Sequence, residues 1–261
     1  ATENLAIAAS AHGRKTEVTI ESGAEPRIDV ALGNGTPADD ALYRAIPLRQ
    51  SPRSLYDGQP VSPEDIVLLT SAARQEGVTV RIMTEPQDRE AISEFVVEGN
   101  TAQMDDPAFI VELRDWLRFN PDNAVKMGDG LFSACSGKPV APEWIGTRLF
   151  NAFFTNDVEN TKYREHIRAS AGVAVFIGER PDPEHWIKVG KSFERFALQA
   201  TAIGIRNAHI NQPVEVPQLR SEFARWLSMP NARPDLVVRF GYAPALPMSL
   251  RRPLEDVIEP V

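Results

Sequence analysis

The sequence predicts an α+β protein, and three observations carry that expectation. The stretch 186–204, WIKVGKSFERFALQATAIG, sets Val189, Phe193, Phe196, Ala197 and Ala200 at helical spacing on one apolar stripe. The run 171–177, AGVAVFI, is almost continuously apolar, as a strand central in a sheet would be. Helical and extended segments are mixed along the chain without the strict alternation of a doubly wound sheet.

In chain order, residues 1–13 read as the end of a helix. Thr16 to Ile20 and Arg27 to Leu32 read as strands around an ESGAEP turn. Residues 33–37, GNGTP, form a loop, and Asp39 to Ile46 a short helix. Ser62-Pro63-Glu64-Asp65 is a helix start: a capping hydroxyl, a proline whose missing N–H costs nothing there, and acids at the positive end of the dipole. It opens a helix over Ile66 to Glu76, followed by a strand at Val78 to Thr84 and a helix at Gln87 to Gly99. Residues 104–160 look less regular. An aromatic-rich helix at Pro107 to Phe119 leads into GDGLFSACSGKPVAPEW, a Gly-, Pro- and Ser-rich stretch. That composition fits a lid-like excursion and equally a surface helical hairpin. Asp182-Pro183-Glu184 starts the main helix and Gly204 stops it. Beyond it, His209 to Glu215 is a loop, Leu219 to Leu227 a short helix and Pro234 to Gly241 a strand.

The beginning of the chain repeats part of this text. Glu3 to Gly13 (ENLAIAASAHG) aligns with Glu194 to Gly204 (ERFALQATAIG), and Pro26 to Gly33 (PRIDVALG) with Pro234 to Gly241 (PDLVVRFG). Two matched segments in the same order point to an internal duplication. The domain reading is therefore 1–36 as the C-terminal remnant of a first repeat and 37–261 as the second repeat, with the excursion at 104–160. The first copy enters in mid-helix, which suggests that the N-terminal part of that repeat is absent.

With 261 residues, 43% hydrophobic and 25% charged, the composition is that of an ordinary globular protein. A net charge of −8 and the lack of a basic tract argue against nucleic acid, although an acidic protein can still hold a local basic pocket. Cys135 is the single cysteine, so neither a disulfide framework nor a cysteine zinc site can be built. No transmembrane run or signal peptide occurs in the sequence as it stands, and residence in the cytoplasm is the expectation.

His12, His166, His185 and His209 are scattered without metal spacing, and no dinucleotide fingerprint, Walker loop or nucleophile elbow occurs. What remains is arginine. Arg49-x-Ser51-x-Arg53 puts two guanidinium groups and a hydroxyl on one side of an extended segment, and Arg251-Arg252 stands near the other end. Such forks suit a phosphate. The same residues would also serve as surface salt bridges to the abundant Asp and Glu.

With these residues in place, the sequence resembles the flavin-dependent nitroreductase family, and within it the Acg-like subgroup. The carrying segments are SPRSLYDGQPV, WLRFNPDNA, DGLFSACSGKPVAPEW, FERFALQATAIGIRNAHINQPVEVPQLR, RPDLVVRFGYAP and MSLRRPLEDVI, spread along essentially the whole chain. The resemblance implies a mixed β-sheet wrapped by helices, with flavin sites shared between two units. Those units are two subunits in the family at large and fused as a pseudo-dimer in the subgroup, so a monomeric pseudo-dimer or a homodimer is expected. It implies FMN as the cofactor. By position, Arg49 with Arg251 or Arg252 would hold the FMN phosphate, Ser51 would bond the phosphate or ribityl chain, and Arg53 would stand at the N1–O2 edge of the ring. The loop carrying Asn211 and Gln212 would approach the other edge, and residues 104–160 would be the lid. An Asn-x-Gln-Pro-Trp type segment of the family is missing; NQPV at 211–214 is elsewhere and lacks the Trp.

The function so implied is an FMN-dependent oxidoreductase that passes electrons from NAD(P)H to a nitro- or quinone-type acceptor. The alternative is a protein that sequesters flavin beneath its lid without turnover. A third reading is a flavin-free remnant with a structural role.

Overall fold

The computed structural model describes residues 1–21, 27–38 and 41–258. Most of the expected ESGAEP turn, and the first two residues of the short helix expected at Asp39, lie outside the described residues.

The chain opens with α1 (Thr2–Ala11), then β1 (Arg14–Glu21) and β2 (Arg27–Asn34), which among the described residues pair only with each other as an antiparallel ribbon. Next come α2 (Ala41–Ala45), α3 (Pro63–Ala72), β3 (Val78–Met83) and α4 (Pro86–Met104). The expected cap of α3 is present: Ser62 Oγ accepts from the Asp65 N–H at 3.1 Å.

Residues 104–160 are more regular than composition suggested. They hold α5 (Pro107–Trp116), β4 (Leu117–Arg118), α6 (Pro121–Met127), β5 (Leu131–Phe132), α7 (Glu143–Phe153) and the start of α8 (Asn156–Arg168). β4 and β5 pair in parallel and close the excursion on itself. The buried Arg118 pins that closure, donating to Asp129 at 2.6 Å and to the carbonyl of Asp115 at 2.7 Å.

After α8 follow β6 (Gly172–Gly178), α9 (Pro183–Ala202), β7 (Arg206–His209), α10 (Gln212–Glu215), α11 (Pro217–Trp226) and β8 (Arg233–Gly241). The expected loop at His209 to Glu215 thus gives way to a strand end and a single helical turn. β7 exists because β8 offers it a ladder, a partnership that local sequence does not record.

The four-stranded sheet runs β3-β6-β8-β7, antiparallel throughout. β6 is one of its two inner strands and is buried along its whole length, as its apolar run predicted. Alternation then sends its side chains to two helical layers. Ala174 and Phe176 meet α9 and α3 on one face; Val173, Val175 and Ile177 meet α4, α8 and α11 on the other. α9 is the predicted helix: Asp182 Oδ1 accepts from the His185 N–H at 2.9 Å, and Gly204 follows with φ 79°. Phe196 is fully buried, edge-on to Phe176 and Phe240. α1 and α2 cover the outer side of α9, where Glu3 pairs with Arg195 at 2.7 Å.

Candidate functional site

The chain from Arg49 to Arg53 is extended, because a 3-10 turn ends at Leu48 and Arg49 takes ψ 127°. Gln50 ties this segment to the C-terminal tail. Its amide nitrogen donates to the Leu246 carbonyl at 2.5 Å, and its amide oxygen accepts from the Leu246 N–H at 3.1 Å. The tail is thereby laid alongside the arginine segment. Between them is a cavity of about 230 Å³ whose wall includes Arg49, Ser51, Arg53 and Arg251. Its roof is the excursion, through Gly130 to Phe132 and Cys135-Ser136.

Two polar groups of this cavity are free to take a ligand: among the described residues, Ser51 Oγ and the Arg53 guanidinium make no hydrogen bond or ion pair. Arg49 is partly engaged, its Nε standing 3.1 Å from Oε1 of the largely buried Glu194. Salt bridging and ligand binding were rival readings of this arginine, and the structure gives it a carboxylate partner while leaving it on the cavity wall. Among the described residues, Arg251 donates only to carbonyls of its own loop, those of Ser249 and Leu250 at 3.2 Å. Arg252 turns away and donates to the Gly128 carbonyl at 3.2 Å, so it lines neither this cavity nor the larger one beside it.

That larger cavity, about 600 Å³, adjoins the first; Arg53, Leu131 and Ser136 belong to both walls. Asn211 and Gln212 lie here, not in the smaller cavity. Asn211 has a structural task as well, since its Oδ1 accepts from the Val237 N–H at 2.9 Å where β7 leaves β8. Gln212 is buried, and its Oε1 has no hydrogen-bond partner among the described residues. The turn carrying both rests on α4 at Gly99, where a Cβ would come within 2.7 Å of the Gln212 carbonyl.

The remaining wall holds residues that sequence reasoning did not single out: Lys138, Glu159, Lys162, Tyr163, His166 and Arg239. Lys162 pairs with Glu159 at 2.9 Å. The pKa of His166 is pushed down to about 4, first by burial and then by the charges of Arg239 and Lys162. That of His209 is likewise lowered, by burial and then by the charges of Arg53 and Arg49. Lys138, at the exposed rim, is lowered by desolvation first and then by Lys162 and Arg53, with Glu159 acting the other way. These mutual effects describe one patch of concentrated positive charge. A charged side chain at Arg239, inside the otherwise apolar strand LVVRF, is the one signal in the sequence that could have found it.

No family model matches the chain. Along 235 residues it is 26% identical to a protein of Mycobacterium tuberculosis provisionally named an NAD(P)H nitroreductase, a match that covers 85% of this chain and 62% of the relative. The chain therefore spans less than two thirds of the length of the curated relatives it matches. Among solved structures it is similar to the FMN-dependent nitroreductase NfnB of Mycobacterium smegmatis in complex with NADPH, at TM-score 0.55 and 16% identity over 85% of this chain and 98% of that one. A nitroreductase of Desulfitobacterium hafniense with bound FMN gives TM-score 0.53 and 12% identity, over 86% and 100% of the two chains. The fold is the nitroreductase-like α+β fold.

Proposed function

We propose that the chain is an FMN-binding oxidoreductase of nitroreductase type, passing electrons from NAD(P)H to a nitro- or quinone-type acceptor. The observation that carries the reading is the gathering of Arg49, Ser51, Arg53 and the sequence-distant Arg251 around one roofed cavity. The residues fit the cofactor. Ser51 and Arg53 are unpaired among the described residues, Gln212 Oε1 is orphaned, and the two adjoining cavities together fall in the range of small-molecule sites, about 300–1,000 Å³. The names of the similar nitroreductases, one with NADPH and one with FMN, support the same assignment.

Arg49 and Arg251 would bind the phosphate, Arg49 sharing its charge with Glu194, and Ser51 would add a hydrogen bond. Arg53, at the junction of the cavities, would set positive charge against the ring and favour its reduced anionic form. Gln212 would offer its free amide oxygen to a ring N–H. The excursion would exclude water. When bound, FMN supplies two-electron hydride chemistry between nicotinamide and acceptor. Arg252 has no part in this assignment.

Two finer readings accompany it. The first is the fused two-unit arrangement of the Acg-like subgroup, with 1–36 belonging to a first repeat. Local structure supports it: α1 and α9 are each followed, after one capping residue, by a glycine with positive φ, Gly13 at 71° and Gly204 at 79°. Each is then followed by a pair of mutually antiparallel strands. A sedimentation mass separates such a monomer from a homodimer. The second is flavin sequestration without turnover, favoured by the roof that Gly130 to Ser136 form over the arginines.

An FMN titration followed by flavin fluorescence tests the main reading. Saturable quenching is expected, and Arg49→Ala should weaken it at least tenfold, since a charge-assisted contact contributes about 1.5–3 kcal/mol. Unchanged affinity in the variant would refute the phosphate assignment. NAD(P)H should then bleach the bound flavin; persistent colour would favour sequestration.

A further inference from the structure

The most unusual side chain in the molecule is Arg239. It is 2% exposed, yet no carboxylate among the described residues pairs with it. Its guanidinium lies 3.9 Å over the Tyr56 ring, and Nη2 donates to the Ser54 carbonyl at 2.8 Å. Nη1 is buried and has no hydrogen-bond partner among the described residues. An uncompensated charge removed from water is costly, and a cation–π contact with one neutral hydrogen bond offsets only part of that cost. An anion within reach of Nη1 would offset the remainder.

The place where it belongs is the larger cavity, whose wall includes Arg239. Four cations face that cavity, Arg53, Lys138, Lys162 and Arg239, against two carboxylates, Glu159 and Glu215. Glu159 holds Lys162 at 2.9 Å, and Glu215 accepts from the neutral amide of Gln103 at 2.6 Å and so keeps its charge. The wall carries an excess of two positive charges, and Arg53, Lys138 and Arg239 pair with no carboxylate among the described residues. The rest of the lining is different in kind. Phe109, Leu113, Leu117, Phe150 and Phe154, all from the excursion, supply an apolar wall, with Phe150 and Phe154 stacked at 4.5 Å. Cations on one side and aromatic rings on the other describe a receptor for a flat apolar body carrying a negative group.

We propose that the part of this cavity between Arg239, Lys138 and the aromatic wall, beside the flavin edge that Arg53 and Gln212 would hold, is a second anion site, and that it selects aromatic carboxylates, with Arg239 as the buried anchor and Lys138 as the charge at the mouth. The site deepens the oxidoreductase reading by naming its acceptor class, a nitro- or quinone-type ring bearing a carboxylate. It rests on that reading for the chemistry but not for the binding.

The test is calorimetric titration with 4-nitrobenzoate and with neutral 4-nitrobenzyl alcohol, on the FMN-free and FMN-saturated protein. The benzoate should bind about ten- to a hundredfold more tightly, the range for one charge-assisted contact, and the preference should shrink with added salt. Arg239→Gln should remove most of the preference and leave the alcohol unaffected. Lys138→Gln, at the exposed rim where folding is not at stake, should cut the benzoate affinity severalfold. Equal affinity of the two probes, or equal weakening of both by Lys138→Gln, would overturn the proposal. So would displacement of the benzoate by FMN together with loss of FMN affinity in Arg239→Gln, because the buried charge would then serve the flavin. Failure to bind FMN with the benzoate preference intact would remove the flavin reading and leave the anion site standing.

Discussion

Two glycines in the middle of long helices should respond in opposite directions to the same substitution. Gly190 lies in α9, and a Cβ built there meets nothing within 4 Å. Gly190→Ala therefore gains helix propensity and loses nothing, which stabilises by about 0.5–1 kcal/mol. Gly99 lies in α4, and its Cβ would stand 2.7 Å from both the carbonyl carbon and oxygen of Gln212. Those are backbone atoms of α10 and cannot swing aside. The helix must separate from the α10 turn, and overpacking of this kind costs roughly 1–3 kcal/mol. Set against the same propensity gain, the net is a loss on the order of 1–2 kcal/mol. For a domain of this size, thermal unfolding followed by circular dichroism should place Gly190→Ala about 1–4 °C above the parent and Gly99→Ala several degrees below it. A rise in Tm for both variants would mean that α10 is not seated against α4 as described, and the placement of Asn211 and Gln212 would fall with it.

Other consequences are read at the core, the cofactor cavity and the histidines. Phe196→Ala removes a fully buried ring between Phe176 and Phe240 and should destabilise by about 3–5 kcal/mol, seen as a lower denaturation midpoint at unchanged slope. Ser51→Ala, at a hydroxyl with no protein partner among the described residues, should leave the unfolding curve within about 0.5 kcal/mol of the parent while weakening FMN severalfold; a large stability loss would show that Ser51 is structural. His166 has a folded pKa near 4, below its ordinary 6.5. Its neutral form is the one folding favours, so its contribution is whole above pH 6.5 and is lost as pH falls towards 4. The parent should lose up to about 3 kcal/mol more than His166→Gln between pH 7 and 4. Parallel stability profiles for the two proteins would show that burial does not act on this ring.

The sequence revealed those elements whose signals are local. α9 carries its own stripe, its own cap at Asp182 and its own stop at Gly204, and β6 announces its burial by an unbroken apolar run. α8 was missed although Thr155 caps it through the Val158 N–H at 3.4 Å, because its mean composition is polar and only Tyr163 and Ile167 mark the inward face. β7 could not be read at all. Its four residues, RNAH, have no strand pattern and owe their conformation to the ladder with β8. The candidate site divides in the same way. Arg49, Ser51 and Arg53 share a short motif and share a cavity, whereas Lys138, Lys162, His166 and Arg239 come from separated elements and a loop that only the fold brings together.

A site assembled in this way is constrained in how it works. The excursion contributes the roof of the smaller cavity and the apolar wall of the larger one, while the cations of both come mostly from the body of the protein and the tail. Between the two halves the described links at the roof are few and weak; Cys135 Sγ stands 3.5 Å from the Met248 carbonyl, and Arg252 reaches Gly128 at 3.2 Å. Like charges on the body repel one another across the cavity, and among the described residues the excursion brings no free carboxylate to its wall to quench them. A ligand with an anionic group and a flat ring supplies both missing contacts at once, charge for the body and surface for the excursion. Ligand binding and seating of the excursion are then linked, and whatever occupies the cavity stabilises the closed arrangement by an amount set by its concentration relative to its Kd. A ligand bridging the two in this way would tighten the cover while bound and loosen it on leaving, whereas the bonds of Asn160 to Asn100 at 2.8 Å and to Thr101 at 3.0 Å fasten the excursion's C-terminal end to the body whether or not the cavity is filled.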